Sequence, residues 1–203
     1  LKGNLVIPSS VAFMGDSAFQ SAYADTDKSN MGMLSFENGS KLTSIPAYAF
    51  DKCLAFKGSI VIPEGVTSIG QYAFEKCSGM DGTLSLPSGL ETIGNYAFSE
   101  CSKLTGGITV PDTLTQLGTY TFNKCSNING ELVLSKNLKN IPQAAFSNCS
   151  SMIGSVDIPE GVQKINANAF QGCSSLNGTL TIPETVDTIG AYAFDQCSLL
   201  TGT

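Results

Sequence analysis

The stretch that decides the fold runs from Gly82 to Leu104 and reads G-T-L-S-L-P-S-G-L-E-T-I-G-N-Y-A-F-S-E-C-S-K-L. Its features return every 24 residues along the chain. Seven cysteines keep this spacing without a break, and a phenylalanine stands three residues before each: Phe50/Cys53, Phe74/Cys77, Phe98/Cys101, Phe122/Cys125, Phe146/Cys149, Phe170/Cys173 and Phe194/Cys197. A fixed period of this length is typical of a chain that stacks one small unit many times.

The first half of each unit predicts a short β-strand. Leu84 and Leu86 flank the outward Ser85, and the same alternation of apolar and outward residues recurs in the other units. Alternation of this kind is the pattern of a strand. A proline usually follows and ends the strand because it has no N–H to donate; Ser135 replaces it in one unit. We therefore expect one parallel sheet with one short strand per 24-residue repeat.

The second half of each unit predicts two further elements on the opposite face. A second apolar pair, such as Leu90 and Ile93, indicates a short second strand. Ala73, Phe74 and Cys77 have the spacing i, i+1, i+4, which indicates one turn of helix or 3₁₀ structure. The slot after the isoleucine holds glycine in several units but proline at Pro46, so a positive φ is not required there.

The expected fold class is a repeat solenoid. A single unit cannot bury its inward residues alone, so neighbouring units must cover one another. Residues 1–203 are predicted to form a single domain of about eight repeats. Leu1 already stands within the pattern, so we expect the sequence to be a fragment of a longer protein.

The composition argues against several functional classes. The formal net charge is −6, all eleven basic residues are lysine, and histidine is absent. Nucleic-acid binding needs clustered basic residues, and the commonest catalytic bases and many metal sites need histidine. No apolar run approaches the roughly 20 residues of a membrane span. We expect no nucleic-acid partner, no cofactor and no membrane span in this segment.

The cysteines are best interpreted as a buried column of thiols. Each occupies the same slot of its unit, and cysteine packs well as a small hydrophobic residue. The C-x-x-C pairs of common zinc sites do not occur. Stacked neighbours would point the same way, which suits disulfide geometry poorly. Disulfides or a bound metal remain the alternatives, although we assign no metal ligands.

One insertion breaks the period between Phe19 and Phe50, which are 31 residues apart. If Leu34 to Phe36 form the strand, five extra residues precede it. The insertion at 24–31 has Asp25, Asp27 and Ser29 spaced like the start of a calcium loop, although Asn30 and Phe36 depart from that pattern. A solvated loop is the favoured interpretation. It would either cover the open end of the solenoid or recognise a partner.

The string I-P-x-x-V/L-x-x-I-G-x-x-A-F-x-x-C-S-x-L resembles the BspA-like, or Treponema pallidum type, bacterial leucine-rich repeat family. The resemblance covers essentially the whole chain. It implies a solenoid of the leucine-rich-repeat type and a secreted or cell-surface location. Several members of that family act as adhesins toward host proteins. The resemblance implies no catalytic residues.

Two outward columns are candidates for ligand binding. The strand column is Val61, Ser85, Thr109, Val133 and Asp157, and the tyrosine column is Tyr48, Tyr72, Tyr96 and Tyr120. The strand column also suits a solvated sheet with no ligand, because its residues are mostly β-branched or polar. The tyrosines suit recognition of a protein or a sugar, but each ring could simply cover its neighbour.

The function predicted from the sequence is a non-catalytic binding module at the cell surface or outside the cell. Its expected partner is a host or cell-surface protein or a glycan, as in adhesion. The alternative is a passive spacer that carries another domain. We expect no enzyme, since the acidic residues lie scattered in turns without an apolar cleft to raise a pKa.

Overall fold

The computed structural model describes residues 1–24 and 31–202, and this part of the chain forms short strands joined by turns. Within these described ranges, the longest strand has five residues. In chain order they are β1 (Leu5–Ile7), β2 (Gly32–Phe36), β3 (Ser44–Ile45), β4 (Phe56–Lys57), β5 (Ile60–Val61), β6 (Ser68–Ile69), β7 (Leu84–Ser85), β8 (Thr92–Ile93), β9 (Ile108–Thr109), β10 (Gln116–Leu117), β11 (Leu132–Val133), β12 (Asn140–Ile141), β13 (Val156–Asp157), β14 (Lys164–Ile165), β15 (Thr179–Thr181), β16 (Thr188–Ile189) and β17 (Thr201–Gly202).

The strands form two sides of a parallel β-solenoid of about seven turns. On the first-strand side the ladders are β1-β2-β4, β5-β7, β9-β11 and β13-β15-β17. On the second-strand side they are β3-β6-β8-β10 and β12-β14-β16. Paired residues usually lie 24 apart, as in Ile60 with Leu84 and Ile69 with Ile93. The predicted parallel sheet and short second strand are confirmed, whereas the division into about eight repeats within one domain stays a prediction.

The first junction has the register that the sequence suggests. Leu5 pairs with Leu34, an offset of 29 residues, so five extra residues do precede β2. Most of the insertion, residues 25–30, lies outside the described residues. The calcium-loop, end-cap and recognition interpretations of the insertion therefore stay predictions.

The third side, which we call the turn side, lacks the predicted helical turn; no helix occurs in residues 1–24 or 31–202. Amides at alternate positions donate to the carbonyls of the next repeat, as Phe74 does to Ala97 at 2.8 Å. The intervening amides donate to the carbonyl three residues back and so close four-residue β-turns, as Cys77 does with Phe74 at 3.2 Å. The helical interpretation was wrong because every second N–H group bonds across repeats, so that consecutive helical hydrogen bonds, whether α or 3₁₀, do not form.

Two slots of the turn side have a left-handed backbone in repeat after repeat. The tyrosine slot has a positive φ at Ser17, Tyr48, Tyr72, Tyr96, Tyr120, Ala144, Asn168 and Tyr192. The slot before the cysteine, or before Ala22 in the first repeat, has one at Ser21, Lys52, Lys76, Glu100, Lys124, Asn148, Gly172 and Gln196. None of these residues is β-branched, as the steric limits of this region require. The slot occupied by Gly70 and Pro46 has no positive φ, as expected from its proline.

The phenylalanine column forms the centre of the core. Phe50, Phe74, Phe98, Phe122, Phe146 and Phe170 are fully buried. From Phe19 to Phe194, neighbouring rings stack with centroids between 5.1 and 5.6 Å apart. Ring area is thus buried against ring area in every repeat, which makes the column a continuous apolar spine.

The cysteine column is buried as predicted, with one correction. Cys53 to Cys173 are inaccessible free thiols, but Cys197 is only partly buried because the stack ends there. Each thiol donates to the carbonyl of a phenylalanine in the preceding repeat, as Cys77 does to Phe50 at 3.1 Å. Burial raises the pKa of the Cys101 thiol to about 12, so it stays protonated at neutral pH.

Candidate functional site

The predicted strand column lies on the surface of the first-strand side. Val61, Ser85, Thr109, Val133 and Asp157 are all exposed. Val61 and Val133 keep 63% and 51% of their side chains in solvent. Val6 and Met33, on neighbouring strands of this side, are 49% and 52% exposed. Because the inward residues of these strands already form the core, none of the exposed apolar side chains is needed to hold the stack together.

Two shallow grooves run over the first-strand side. The larger, of about 530 Å³, lies between β2 and β5 and has Met33, Val61 and Glu37 among its lining residues. The other, of about 410 Å³, includes Ser85 and Thr109. Glu64 lines both grooves and so connects them. The structure therefore joins three residues of the predicted strand column with carboxylates that had no predicted role.

These carboxylates stand in the turns that follow the strands. Glu64 accepts hydrogen bonds from the amide and hydroxyl of Ser88 in the next repeat, at 3.3 and 3.2 Å. Asp112 accepts the amide of Lys136 at 3.0 Å and lies 3.3 Å from its ammonium group. The donated amide, helped by that ammonium, holds the pKa of Asp112 below its usual range. The acidic turn residue thus fixes the following turn.

The negative charge of the protein is concentrated on this side. We count the strands of the first-strand side, the residue before each and the turn after it. They hold seven carboxylates and two lysines, a net charge of −5: Glu37, Glu64, Asp112, Glu131, Asp157, Glu160 and Glu184, with Lys57 and Lys136. The other described residues hold eight carboxylates and eight lysines, a net charge of zero: Asp16, Asp51, Glu75, Asp81, Glu91, Glu100, Asp187 and Asp195, with Lys2, Lys41, Lys52, Lys76, Lys103, Lys124, Lys139 and Lys164.

The predicted tyrosine column forms a stacked strip on the turn side. The centroids of Tyr48, Tyr72, Tyr96 and Tyr120 follow one another at 4.9, 4.8 and 4.7 Å, with ring planes within 6° of parallel. All four rings are half-buried. Tyr192 is separated from the strip by two repeats without tyrosine and is 66% exposed.

This stacking limits what the tyrosine strip can do. The inner rings, Tyr72 and Tyr96, have a tyrosine on each face, so neither offers a free face to a sugar ring or a cation. Burial, the neighbouring phenols and Glu75 raise the pKa of Tyr96, which keeps its hydroxyl protonated. The strip therefore presents ring edges and hydroxyl groups. The interpretation in which each ring covers its neighbour accounts for this geometry, and ligand binding there stays a prediction.

A third groove, of about 590 Å³, lies on the turn side and was not predicted. Lys76, Glu100 and Lys124 line it, together with the serines that follow successive cysteines: Ser78, Ser102, Ser126 and Ser150. That recurring serine was the available sequence signal. The Lys124 ammonium lies 3.5 Å from the Glu100 carboxylate, and Lys76 makes a similar contact with Glu75. These charges are thus neutralised within the protein.

One pair of carboxylates deserves comparison with a catalytic site. Asp51 and Glu75 occupy the same slot of adjacent repeats. Asp51 is buried; one of its oxygens accepts a hydrogen bond from Gln20 at 2.9 Å, and the other lacks a hydrogen-bond partner among the described residues. Burial raises the pKa of Glu75 despite the nearby Lys76. Neither acid lines the three grooves, so a substrate bound in them would not touch either carboxylate.

Comparison with known proteins identifies the family. The model of the BspA-type leucine-rich repeat region matches residues 43–177 and 150–202, in six copies. The chain belongs to this family. The resemblance that the repeat motif carries is thereby confirmed. No curated protein sequence matches the chain significantly.

Solved structures support the same conclusion. A T. pallidum leucine-rich repeat protein is 30% identical, with a TM-score of 0.69, and the match covers 82% of this chain and 75% of that one. A leucine-rich cell surface protein of Faecalibacterium prausnitzii is 21% identical with a TM-score of 0.57, over 98% of this chain and 78% of that one. A leucine-rich repeat protein of Eubacterium ventriosum is 19% identical with a TM-score of 0.57, over 95% and 58%. The last two show the fold alone.

Proposed function

We propose that this chain is a non-catalytic protein-binding module that uses its first-strand side. The observation that carries the proposal is the set of exposed apolar side chains on this side, of which Met33 and Val61 line the larger groove. Val61 and Val133 are more than half exposed although the core does not need them. Apolar groups that stay in solvent within a groove commonly mark a contact surface. Membership in a leucine-rich repeat family supports the same function, because such solenoids bind through extended surfaces.

The proposal favours a protein over a glycan as the partner. Sugars are commonly held against a free aromatic face, and the stacked Tyr72 and Tyr96 do not provide one. The exposed aliphatic residues of the first-strand side suit the apolar centre of a protein interface instead. We further propose adhesion at the bacterial surface or outside the cell. Its support is the family, together with the fold shared with the F. prausnitzii cell surface protein.

An array of purified extracellular proteins and glycans tests this proposal. The wild type and the double variant Val61→Ser/Val133→Ser are applied in parallel. Loss of the apolar contacts should weaken binding to protein spots by about tenfold or more, equivalent to about 1.4 kcal/mol. The control is Leu199→Ser/Tyr192→Ser, which removes two apolar side chains that are 54% and 66% exposed but lie off the first-strand side.

The outcomes are distinct. Binding to proteins that the valine variant loses and the control retains would support the proposal. Binding to glycan spots alone, or equal weakening by both variants, would overturn it. Circular dichroism of all three proteins shows whether the fold is kept, since surface substitutions of this kind change stability by about 0.5 kcal/mol or less.

A further inference from the structure

The first-strand side combines exposed apolar side chains, such as Val61 and Val133, with carboxylates in and beside the strand column. This combination selects one chemistry of partner. Resting on the proposed function, we infer that the partner segment is a positively charged polypeptide whose lysines or arginines alternate with apolar residues. Its apolar side chains would lie on Val61 and Val133, and its cations would meet carboxylates such as Glu64 and Asp157.

Charge complementarity is the first argument. The first-strand side carries a net −5 while the other described residues sum to zero. A side with one sign of charge raises the local concentration of oppositely charged partners and accelerates their association. Since the fold repeats the same backbone on every turn, the stacking itself does not require this imbalance.

The availability of these charges is the second argument. On the turn side, Asp51, Glu75 and Glu100 each lie within 3.5 Å of a lysine ammonium group. On the first-strand side Asp112 is the one carboxylate within ion-pair distance of a lysine, as far as the described residues show. Glu64 accepts its hydrogen bonds from the neutral amide and hydroxyl of Ser88, not from a lysine.

The distribution of the acids is the third argument. Glu64, Asp112, Glu131, Asp157 and Glu184 belong to five different repeats of the solenoid. Strands in neighbouring repeats lie about 4.8 Å apart, so these charges extend along the axis. A long segment can contact several of them, whereas a small cation would meet one or two at a time. Protein interfaces also commonly combine apolar contacts with polar and charged groups around them.

Three labelled peptides of equal length provide the test: alternating lysine and valine, alternating glutamate and valine, and alternating lysine and serine. Fluorescence anisotropy at about 50 mM salt, where the Debye length exceeds 10 Å, measures each dissociation constant. The lysine–valine peptide should bind at least about tenfold more tightly than either of the others, because it alone satisfies both features of the surface.

A matched pair of triple variants locates the contact. Glu64→Gln/Glu131→Gln/Asp157→Asn should raise the dissociation constant for the lysine–valine peptide about tenfold at low salt. At about 0.5 M salt the variant and the wild type should bind this peptide equally. Glu91→Gln/Glu100→Gln/Asp187→Asn makes the same change of charge on the other two sides. This control should stay within about twofold of the wild type.

Each remaining outcome overturns the inference. If the glutamate–valine peptide binds as tightly as the lysine–valine peptide, charge plays no part. If the lysine–serine peptide binds as tightly, the exposed valines of the strand column play no part. Equal weakening by both triple variants would mean that only total charge matters. If Val61→Ser/Val133→Ser loses binding to the array proteins but the triple acid variant of the first-strand side keeps it, the proposed function stands and the positively charged partner is refuted. If neither variant changes binding, the proposed function and the positively charged partner are both refuted.

Discussion

Replacing Phe122 by alanine in the middle of the stack should cost far more stability than the same change at Phe194. Phe122 is fully buried and lies between Phe98, at 5.4 Å, and Phe146, at 5.6 Å. Phe194 is partly exposed and stacks with Phe170 alone, at 5.3 Å. The two residues occupy the same slot of their repeats, so the comparison mainly tests the position in the stack.

The magnitude follows from these contacts. A fully buried Phe→Ala change costs about 3–5 kcal/mol in lost transfer free energy and residual cavity. Each stacked aromatic pair contributes about 0.5–1.5 kcal/mol beyond burial. Phe194→Ala breaks one such pair and exposes a ring already partly in water, so about 1.5–2.5 kcal/mol is expected there. The difference of about 2 kcal/mol is large for a fold whose total stability is about 5–15 kcal/mol.

Urea unfolding followed by circular dichroism measures both values, and tyrosine fluorescence provides a second probe because the chain has no tryptophan. Unchanged slopes of free energy against urea would show that the same surface unfolds in each variant. The control Phe122→Leu keeps most of the volume and should cost about 1–2 kcal/mol. If Phe194→Ala proves as costly as Phe122→Ala, the end of the stack is not open and the reasoning fails.

Two further predictions concern the turn side. Lys124→Gly should raise the free energy of unfolding, measured in urea melts, by about 0.5–1 kcal/mol. Glycine removes the steric cost of a left-handed backbone, about 1–2 kcal/mol, and this gain exceeds the entropy cost of about 0.5–1 kcal/mol for ordering a more flexible residue. Gly172 already occupies the equivalent slot, and loss of stability in the variant would contradict the steric argument. Glu75→Gln should stabilise the protein at pH 7, because burial and the nearby Asp51 raise the pKa of this carboxyl in the folded state. The gain should vanish below about pH 4, where the wild-type carboxyl is protonated in both the folded and the unfolded state. Urea melts between about pH 3.5 and about pH 8 measure it, and a gain in stability that does not change with pH would refute the prediction.

The sequence predicts the core well because each core slot has one chemical requirement. Phenylalanine and cysteine recur in their slots without exception from Phe50 to Cys197, and the structure buries all but the last repeat's pair. The strands follow from alternation, which has one structural meaning. The helical turn could not be excluded, since the spacing of Ala73, Phe74 and Cys77 fits a helix and a series of left-handed turns equally. The backbone conformation depends on which carbonyl each N–H group donates to, and half of these carbonyls belong to the neighbouring repeat.

A second period of 48 residues also escaped the sequence analysis. Gly58, Gly106 and Gly154 have positive φ, and their amides donate to the side chains of Asp81, Asn129 and Asn177 at 2.8, 2.8 and 3.1 Å. In the alternate repeats the glycine amide donates to a backbone carbonyl instead, as Gly82 does to Gly58. The signal was present in the alternation of Asp or Asn with Thr or Ile before the glycine. It could be recognised only once the partner of each amide was known.

For the candidate site, exposure of the strand column was predictable because the residue between two inward neighbours must face outward. The grooves, and the carboxylates that lie beside the strand column, were not predictable. Glu64, Asp112 and Glu160 follow prolines in the turns, and nothing in the 24-residue period says that these turns and the strand column share one surface. Their common location follows from the way the coil closes.

The repeats of this chain can be compared with one another, and the comparison separates what the fold needs from what it leaves free. The phenylalanine and cysteine slots are invariant because stacking fixes them. The tyrosine slot is constant through four consecutive repeats, Tyr48 to Tyr120, and its stacked geometry gives it a structural reason to be so. The strand column changes from valine to serine, threonine and aspartate between repeats that have the same backbone. Variation without a structural cause, together with a charge of −5 that stacking does not require, makes the first-strand side the part of the surface where a partner can be specified.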